Sequence, residues 1–347
     1  MVPTWCGASQ GPHRTGDLSV AAATLGRMTS SPATPGVRDR GPDHHLITHV
    51  TLRVALAGVA LAILAAVVVD RVQRGCLLTS ISAYWWTDAR PVLVGGLVAI
   101  GVALVAYSGS TWTENLLLDL AGVLAPVVAF APTVLEPGDA ACLGVPFPAP
   151  YDASVADVAL LVYLGALVVG TGATYLASAA VRRQLGPLTA PQRLARLVGL
   201  GAATVLVAGL VGWRLLDPRF AAHVHFPAAA TMFVLLTGVV AGRTEPVSRL
   251  TARWDLYRDD DADRAGRRSW QRFPYGRCYA VVAVVMVLTL VAVVPVSLLG
   301  WWDHAVIAAE VVLLLAFLVF WLLQTVQLRL LAPTGGIEAQ GDQGSKR

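Results

Sequence analysis

The chain is poor in charged residues. Of its 347 residues, 14% are Asp, Glu, Lys or Arg, whereas 56% are apolar and the mean hydropathy is +0.63. A soluble domain carries about a quarter charged residues. Lysine is nearly absent, since Lys346 is the only one, and we interpret the use of arginine in its place as a composition bias. The composition argues against a soluble domain and predicts an integral membrane protein with several spans of about 20 residues each.

Motifs that would point to an activity are also missing. The sequence contains no GxxxxGK[ST] nucleotide-binding loop, no HExxH pair and no CxxC pattern. ATP-driven chemistry and a standard zinc site therefore lack support, and no cofactor is expected. The arginines lie in short segments between apolar runs instead of on one soluble face, so we expect no nucleic-acid partner and interpret them as determinants of membrane topology.

The apolar runs predict an all-α, polytopic transmembrane helix bundle of about eight spans in residues 46–328. The spans are predicted near residues 46–69, 91–107, 116–135, 153–181, 194–216, 226–242, 277–299 and 304–328. Residues 1–45 and 329–347 are predicted to be disordered tails, and Met28 is an alternative start. Residues 243–275 are predicted to form a loop with a short amphipathic helix on the membrane surface.

The distribution of basic residues predicts the orientation. The two tails and every second connection hold 21 of the 26 Lys and Arg residues, and the remaining connections hold 5. By the positive-inside rule the first set lies in the cytoplasm. Both termini are therefore predicted to be cytoplasmic, and the protein is predicted to be a multi-pass component of the bacterial plasma membrane, in contact with membrane lipids.

The segment Ser80–Tyr107 changes character at Arg90 and Pro91. Its first half is polar and aromatic, and its second half is an uncharged apolar run. Proline is well tolerated in the first turn of a helix. Tyr84, Trp85 and Trp86 precede that turn, and such residues often lie at the membrane–water interface. We predict a loop that is anchored at the bilayer surface and turns into a span.

Ionisable residues inside spans are costly, at roughly 2.5–3.5 kcal/mol each near a helix centre, so they suggest function. Here they gather near the external ends of the spans, which predicts an outward-facing polar pocket. Its candidate residues are Ser80, Ser82, Tyr84, Thr87, Asp88, Arg90, Arg214, His225 and Glu310. Glu310 is expected to be buried and to face Arg214, Arg90 or His225. Such a pocket suits a protein that binds or transports a small molecule or a lipid, or that binds a proton.

Two other functions fit the sequence. One is a metal-dependent membrane hydrolase with a metal-activated water. Its weak candidate ligands are His223, His225, His304 and Asp303. The sequence contains no zinc-ligand spacing. This argues against an enzyme but leaves the question open. The other is a structural or regulatory membrane subunit that works through residues 243–275.

The cysteines and the small residues support two structural hypotheses. Cys76 and Cys142 both fall on the predicted external side, where a disulfide can form, and they are a candidate pair. Gly95, Ala99 and Ala103 repeat along one face of the second span, as in closely packed helices. We interpret this repeat as helix packing within the chain, and a homo-oligomer as an alternative.

The segment that begins at Ser80 resembles a bacterial family of polytopic membrane proteins of unknown function. Members of that family carry the pattern SIS-x-YY-x-T-x-x-R-x-x-FVG before a glycine-bearing span. The matching residues are Ser80, Ile81, Ser82, Tyr84, Trp85, Thr87, Arg90, Val94 and Gly95. Weaker matches follow at Ala121, Gly122, Ala129, Pro132, Thr133, His225, Phe226, Ala228, Ala229 and Glu310. Trp86 stands where the family more often has His, which weakens the metal hypothesis. The resemblance implies an integral membrane protein and no particular activity.

Overall fold

The computed structural model describes residues 44–147, 153–185, 190–251 and 275–331, and these residues form helices and no strands. The helices are α1 (His44–Arg74), a 3-10 helix (Ser82–Trp86), α2 (Arg90–Ala106), α3 (Trp112–Phe130), α4 (Pro137–Leu143), α5 (Ala153–Leu185), α6 (Ala190–Leu216), α7 (Phe220–His223), α8 (His225–Gly242), α9 (Glu245–Thr251), α10 (Tyr275–Leu298) and α11 (Ala305–Leu331). The prediction of an all-helical protein is confirmed for this part of the chain.

Within the described residues, seven helices are long and apolar enough to cross a membrane. They lie in α1, α3, α5, α6, α8, α10 and α11. Helix α2 is also apolar but has 17 residues, which is just short of that length. The membrane character of the protein is therefore supported, and eight crossings stay a prediction that depends on α2.

Local sequence signals explain where the helices begin and end. Pro91 lies in the first turn of α2, and the Thr111 side chain accepts a hydrogen bond from the Glu114 N–H at the start of α3. Gly75 follows α1 with a φ of +79°, a conformation that glycine adopts without strain. Helix α3 ends at Phe130, earlier than predicted, because Pro132 has no N–H to continue it.

Small residues allow α2 and α3 to approach closely, but at one site only. A Cβ atom added to Gly101 would lie 2.7 Å from the carbonyl oxygen of Gly122, and one added to Gly122 would lie 2.7 Å from that of Gly101. Gly95, which the sequence suggested as a packing position, has open space around it. The tight contact therefore falls at Gly101, which lies between Ala99 and Ala103 but is not part of the predicted repeat.

Long-range hydrogen bonds define two ends of the bundle. At the Ser82 end, the turn 80–90 contacts Glu310 near the start of α11. At the Arg53 end, Arg53 near the start of α1 contacts Tyr107 after α2 and Gln324 late in α11. The first turns of α1 and the last turns of α11 therefore lie at the same end of the bundle.

Some predicted segments fall outside the described residues. They are residues 1–43, most of the loop 243–275, and residues 332–347. Helix α9 is the described part of that loop, and it includes Val247 and Leu250 of the predicted amphipathic helix. Trp254 and Tyr257, which continue the same pattern, lie outside the described residues.

Candidate functional site

The turn before α2 is folded by its own hydroxyl groups. The Ala83 N–H donates to the Ser80 hydroxyl oxygen at 3.0 Å. The Thr87 hydroxyl donates to the Tyr84 carbonyl oxygen at 2.9 Å and accepts from the Ala89 N–H at 3.1 Å. Such side-chain hydrogen bonds take the place of the backbone hydrogen bonds of regular secondary structure, so a short 3-10 turn can be buried. Ser80 and Thr87 therefore shape the turn.

The aromatic residues of the turn are buried more deeply than predicted. Tyr84 is 1% exposed and Trp85 is 5% exposed, so the prediction of an anchor at the bilayer surface is wrong for both. Trp86 is half-buried, and its indole N–H donates to the Thr133 carbonyl oxygen at 3.0 Å. The cause is packing, because the turn folds into the helix bundle and its rings join the core.

A chain of hydrogen bonds connects three helices through this turn. The Ile81 N–H donates to Glu310 Oε2 at 2.5 Å, and Ser82 Oγ lies 3.3 Å from Glu310 Oε1. Ser82 Oγ also lies 2.8 Å from His225 Nε2. His225 Nδ1 in turn lies 2.6 Å from the carbonyl oxygen of Ala131. We call Glu310, Ser82 and His225 the central triad.

Of the three partners predicted for Glu310, which were Arg214, Arg90 and His225, the structure brings His225 near it and neither arginine. Its carboxylate binds a backbone N–H and a hydroxyl, and it reaches His225 only through Ser82. The Arg90 guanidinium instead stacks over the Trp85 ring, 3.5 Å from its centre. Arg214 in α6 has its Nε buried without a hydrogen-bond partner in the described part of the chain. Of the nine predicted pocket residues, three converge as the central triad.

Asp88 and Tyr84 have different environments. The Asp88 side chain is 98% exposed and lies 3.2 Å from Arg74 Nη2 in a surface ion pair. The Tyr84 hydroxyl is buried and makes no well-aligned hydrogen bond among the described residues. Asp88 therefore points away from the triad, and Tyr84 contributes to the core.

The candidate metal ligands are scattered. Among the described residues, no group of three or more His, Cys, Asp or Glu side chains could hold a metal ion. His223 pairs with Asp217 at 2.7 Å, His304 lies 3.3 Å from the Leu77 carbonyl oxygen, and Asp303 is exposed. The hydrogen bond from His223, with that from the Arg219 N–H, lowers the pKa of Asp217. The three converging ligands that a metal hydrolase needs are not found in this part of the chain.

Helix α4 is fastened to the loop after α1. Cys76 and Cys142 form a disulfide with their Cα atoms 6.2 Å apart. Asp139, which is 2% exposed, accepts hydrogen bonds from the Thr79 N–H at 2.9 Å and the Thr79 hydroxyl at 2.6 Å. Sequence reasoning missed Asp139. Its position in the first turn of a short helix was the available signal, but nothing marked Thr79 as its partner.

An apolar cavity of about 290 Å³ lies beside the turn. It is lined by Trp85, Arg90, Pro91, Val94, Phe130, Ala156 and Ala159. Arg90 is the one charged residue of this lining, and no salt bridge in the described part of the chain includes it. The cavity is therefore apolar, whereas the sequence predicted a polar pocket, and it shares only Arg90 with the predicted set.

A second polar cluster at the Arg53 end was not predicted. Arg53 is 8% exposed, and it donates to the Tyr107 hydroxyl at 2.5 and 3.1 Å and to the Gln324 carbonyl oxygen at 2.9 Å. Nearby helix ends carry the ion pair between Glu114 and Arg243. The position of Arg53 in an otherwise apolar run was the available signal.

Comparison with protein-family models, curated proteins and solved structures finds no match to this chain. The site is therefore interpreted from its own geometry and chemistry.

Proposed function

We propose that this chain is a multi-pass protein of the bacterial plasma membrane that binds an amphiphile with an apolar chain and an anionic headgroup. In this proposal the chain crosses the membrane eight times, both termini lie in the cytoplasm, and the binding site lies at the Ser82 end of the bundle, which faces the exterior. Seven membrane-length apolar helices, together with the shorter α2, support the spans. The excess of basic residues on one set of connections supports the orientation.

The observation that carries the proposal is the pairing of an apolar cavity with a cation that has no carboxylate partner among the described residues. The cavity's volume of about 290 Å³ is at the lower edge of the roughly 300–1,000 Å³ of small-molecule sites. Six of its seven lining residues are aromatic, aliphatic or proline side chains. Such a lining favours a hydrocarbon segment, since its polar side-chain groups are limited to the Arg90 guanidinium and the indole N–H of Trp85.

Arg90 supplies the headgroup specificity. Its guanidinium stacks on Trp85, a contact worth about 0.5–2 kcal/mol, and this stacking holds the group in one plane beside the cavity. The N–H groups at the edge of a guanidinium can bind a carboxylate or a phosphate through two parallel hydrogen bonds. An amphiphile that places its chain among Val94 and Phe130 and its anion beside Arg90 satisfies both features.

The test uses dibrominated stearic acid as the probe, with the purified protein in detergent. Bromine atoms quench nearby tryptophan fluorescence, and Trp85 lines the cavity. We expect saturable quenching by the acid. We expect Arg90→Gln to weaken binding of the acid about tenfold, equivalent to about 1.4 kcal/mol, because the anion loses its cation. The uncharged methyl ester should bind both proteins alike.

Two further variants make the result specific. Ala159→Trp fills the cavity and should abolish saturable quenching by both the acid and the ester. Arg219→Gln removes an exposed arginine between α6 and α7 and should leave both affinities unchanged. Equal binding of the acid to wild type and Arg90→Gln would show that Arg90 does not recognise the headgroup, and it would overturn the proposal.

A further inference from the structure

We propose that Glu310, Ser82 and His225 form a proton relay that holds one exchangeable proton. This inference does not rest on amphiphile binding, since none of the three residues lines the apolar cavity. It rests on the distances within the central triad and on a count of hydrogen-bond donors and acceptors. Each link lies within hydrogen-bond distance, at 3.3 Å from Glu310 to Ser82 and 2.8 Å from Ser82 to His225.

The outer contacts of the triad determine its proton positions. His225 Nδ1 lies 2.6 Å from the Ala131 carbonyl oxygen, which can only accept, so Nδ1 carries a hydrogen. The Ile81 N–H can only donate, so Glu310 Oε2 accepts from it. The remaining atoms are Glu310 Oε1, Ser82 Oγ and His225 Nε2. Between them the serine hydroxyl supplies one hydrogen, and two hydrogen bonds have to be made.

One additional proton satisfies both bonds in either of two arrangements. In the first, Glu310 is a neutral acid that donates to Ser82, and the Ser82 hydroxyl donates to the unprotonated Nε2 of His225. In the second, the imidazolium of His225 donates to Ser82, and Ser82 donates to the carboxylate of Glu310. The two arrangements share the same heavy-atom positions, because only hydrogens differ.

Any other number of protons leaves one donor or one acceptor of the triad unsatisfied. Without the additional proton, the single Ser82 hydrogen can serve either Glu310 or His225, but not both. With two, Glu310 and His225 both donate to Ser82, whose own hydrogen then has no acceptor within the triad. A buried polar group without its partner costs about 1–3 kcal/mol, so the state with one proton is favoured. Ser82 and His225 are 9% and 7% exposed, so water is a poor substitute for a missing hydrogen bond at these two residues.

The step between the two arrangements is balanced. A proton leaves Glu310 Oε1 for Ser82 Oγ while the Ser82 proton moves to His225 Nε2, and no bond between heavy atoms changes. The products are a carboxylate and an imidazolium, so the charge of the triad is conserved. Glu310 is half-buried and His225 is buried, so Glu310 is the more accessible end of the relay.

Among the described residues, no ion pair fixes the proton at one end of the triad. No salt bridge in the described part of the chain includes Glu310 or His225. The titratable groups on the adjacent elements are held elsewhere. They include Asp139, which is bonded to Thr79, His304, which lies near the Leu77 carbonyl oxygen, and His223, which is paired with Asp217. Arg90 is stacked on Trp85, Tyr84 is buried in the core, Asp88 is paired with Arg74, and Asp303 is exposed.

The test measures both protonation states on the full-length wild-type protein in detergent. Infrared spectroscopy gives the protonated fraction of Glu310 from its carboxylic-acid band, which is assigned by its loss in Glu310→Gln. Nitrogen NMR of labelled histidine gives the imidazolium fraction of His225, which is assigned by its loss in His225→Gln. We expect the two fractions to add to one near neutral pH. A sum near zero or near two would overturn the relay.

Variants of Ser82 test the link itself. Groups that interact strongly titrate as a pair, with values that belong to neither alone. Ser82→Ala should uncouple them, so that His225→Gln no longer moves the titration of Glu310. Ser82→Thr keeps the hydroxyl and should retain the coupling. Asp88→Asn, which removes an exposed carboxylate near the turn, is the control and should leave the Glu310 band unchanged. Coupling that persists in Ser82→Ala would show that the hydroxyl is not the link.

Discussion

At the scale of single residues, the ion pair between Glu114 and Arg243 is the most deeply placed in the described part of the chain. Arg243 Nη2 lies 2.5 Å from Glu114 Oε1, and the Glu114 side chain is 6% exposed. Burial acts against the charge of Arg243, but the Glu114 carboxylate outweighs it and raises the pKa of Arg243. The Ser110 N–H, at 2.9 Å, gives Glu114 a second donor. The pair connects the start of α3 to the residue after α8.

Removing one member of this pair should destabilise the protein. Glu114→Gln leaves the Arg243 charge without its counter-ion, and breaking a buried pair in this way costs about 3–5 kcal/mol. We expect the lower part of that range, because the Arg243 side chain keeps 27% exposure. The unfolding temperature in detergent should fall by several degrees. In the double variant Glu114→Gln/Arg243→Gln the fall should be smaller than the sum of the two single falls.

A surface ion pair provides the control for that experiment. Asp88→Asn breaks the contact of Asp88 with Arg74, in which the Asp88 side chain is 98% exposed. Exposed pairs contribute little, so the unfolding temperature should hardly change. Additive effects of Glu114→Gln and Arg243→Gln would contradict a direct interaction between the two residues.

At the scale of elements, α4 acts as a clamp on the segment that leads to the triad. This helix has only seven residues and could not form alone. It is held by the disulfide between Cys76 and Cys142 and by the bonds of Asp139 to Thr79. Thr79 directly precedes the turn that carries Ser82, and its carbonyl oxygen accepts from the Ile307 N–H at 2.9 Å. The clamp therefore restrains the loop, the turn and α11 together.

Breaking the disulfide should loosen this clamp. The bonded cysteines are 66 residues apart, and closing a loop of that length corresponds to about 4 kcal/mol by the chain-entropy argument. We expect Cys142→Ser, or reduction of the wild type, to lower the unfolding temperature. Cys278→Ser, which changes a free cysteine of α10, should not. Thiol labelling should show four free cysteines when the wild type is fully reduced. If the unfolding temperature of that reduced protein equals that of the oxidised protein, the disulfide does not stabilise the fold.

At the scale of the whole molecule, the contacts arrange the helix ends in two sets. Arg53, Tyr107 and Gln324 meet at one end, and the triad forms at the other. Sets of this kind arise when successive helices run in opposite directions across one bundle. The predicted topology, with basic connections on the cytoplasmic side, has the same two sets.

Reporter fusions test this topology in cells. Green fluorescent protein attached after Arg347 should fluoresce, because it folds in the cytoplasm. Alkaline phosphatase attached after Gly144, in the connection between the third and fourth predicted spans, should be active, because it requires the exterior. The exchanged fusions are the controls and should both be inactive. Fluorescence from a fusion at Gly144 would contradict eight spans with cytoplasmic termini.

The sequence by itself determined that the described chain is helical and apolar, and it indicated where several helices begin and end. Long uncharged runs can satisfy their backbone only within a helix when water is absent, so their composition settles their secondary structure. Pro91 and Gly75 mark helix ends through constraints on their own backbone. These effects are local, so they can be recognised from neighbouring residues.

Only the tertiary structure decided which polar groups meet. Ser82 is separated from His225 by 143 positions and from Glu310 by 228, and no local pattern encodes such pairings. The sequence marked all three as candidates but left Arg214, Arg90 and His225 open as partners of Glu310, whereas packing placed Arg90 on Trp85 and beside an apolar cavity. The packing of the helices and loops likewise brought Asp139 to Thr79 and Arg53 to Tyr107. Partner choice depends on how the helices pack against one another, because that packing determines which side chains lie within hydrogen-bond distance.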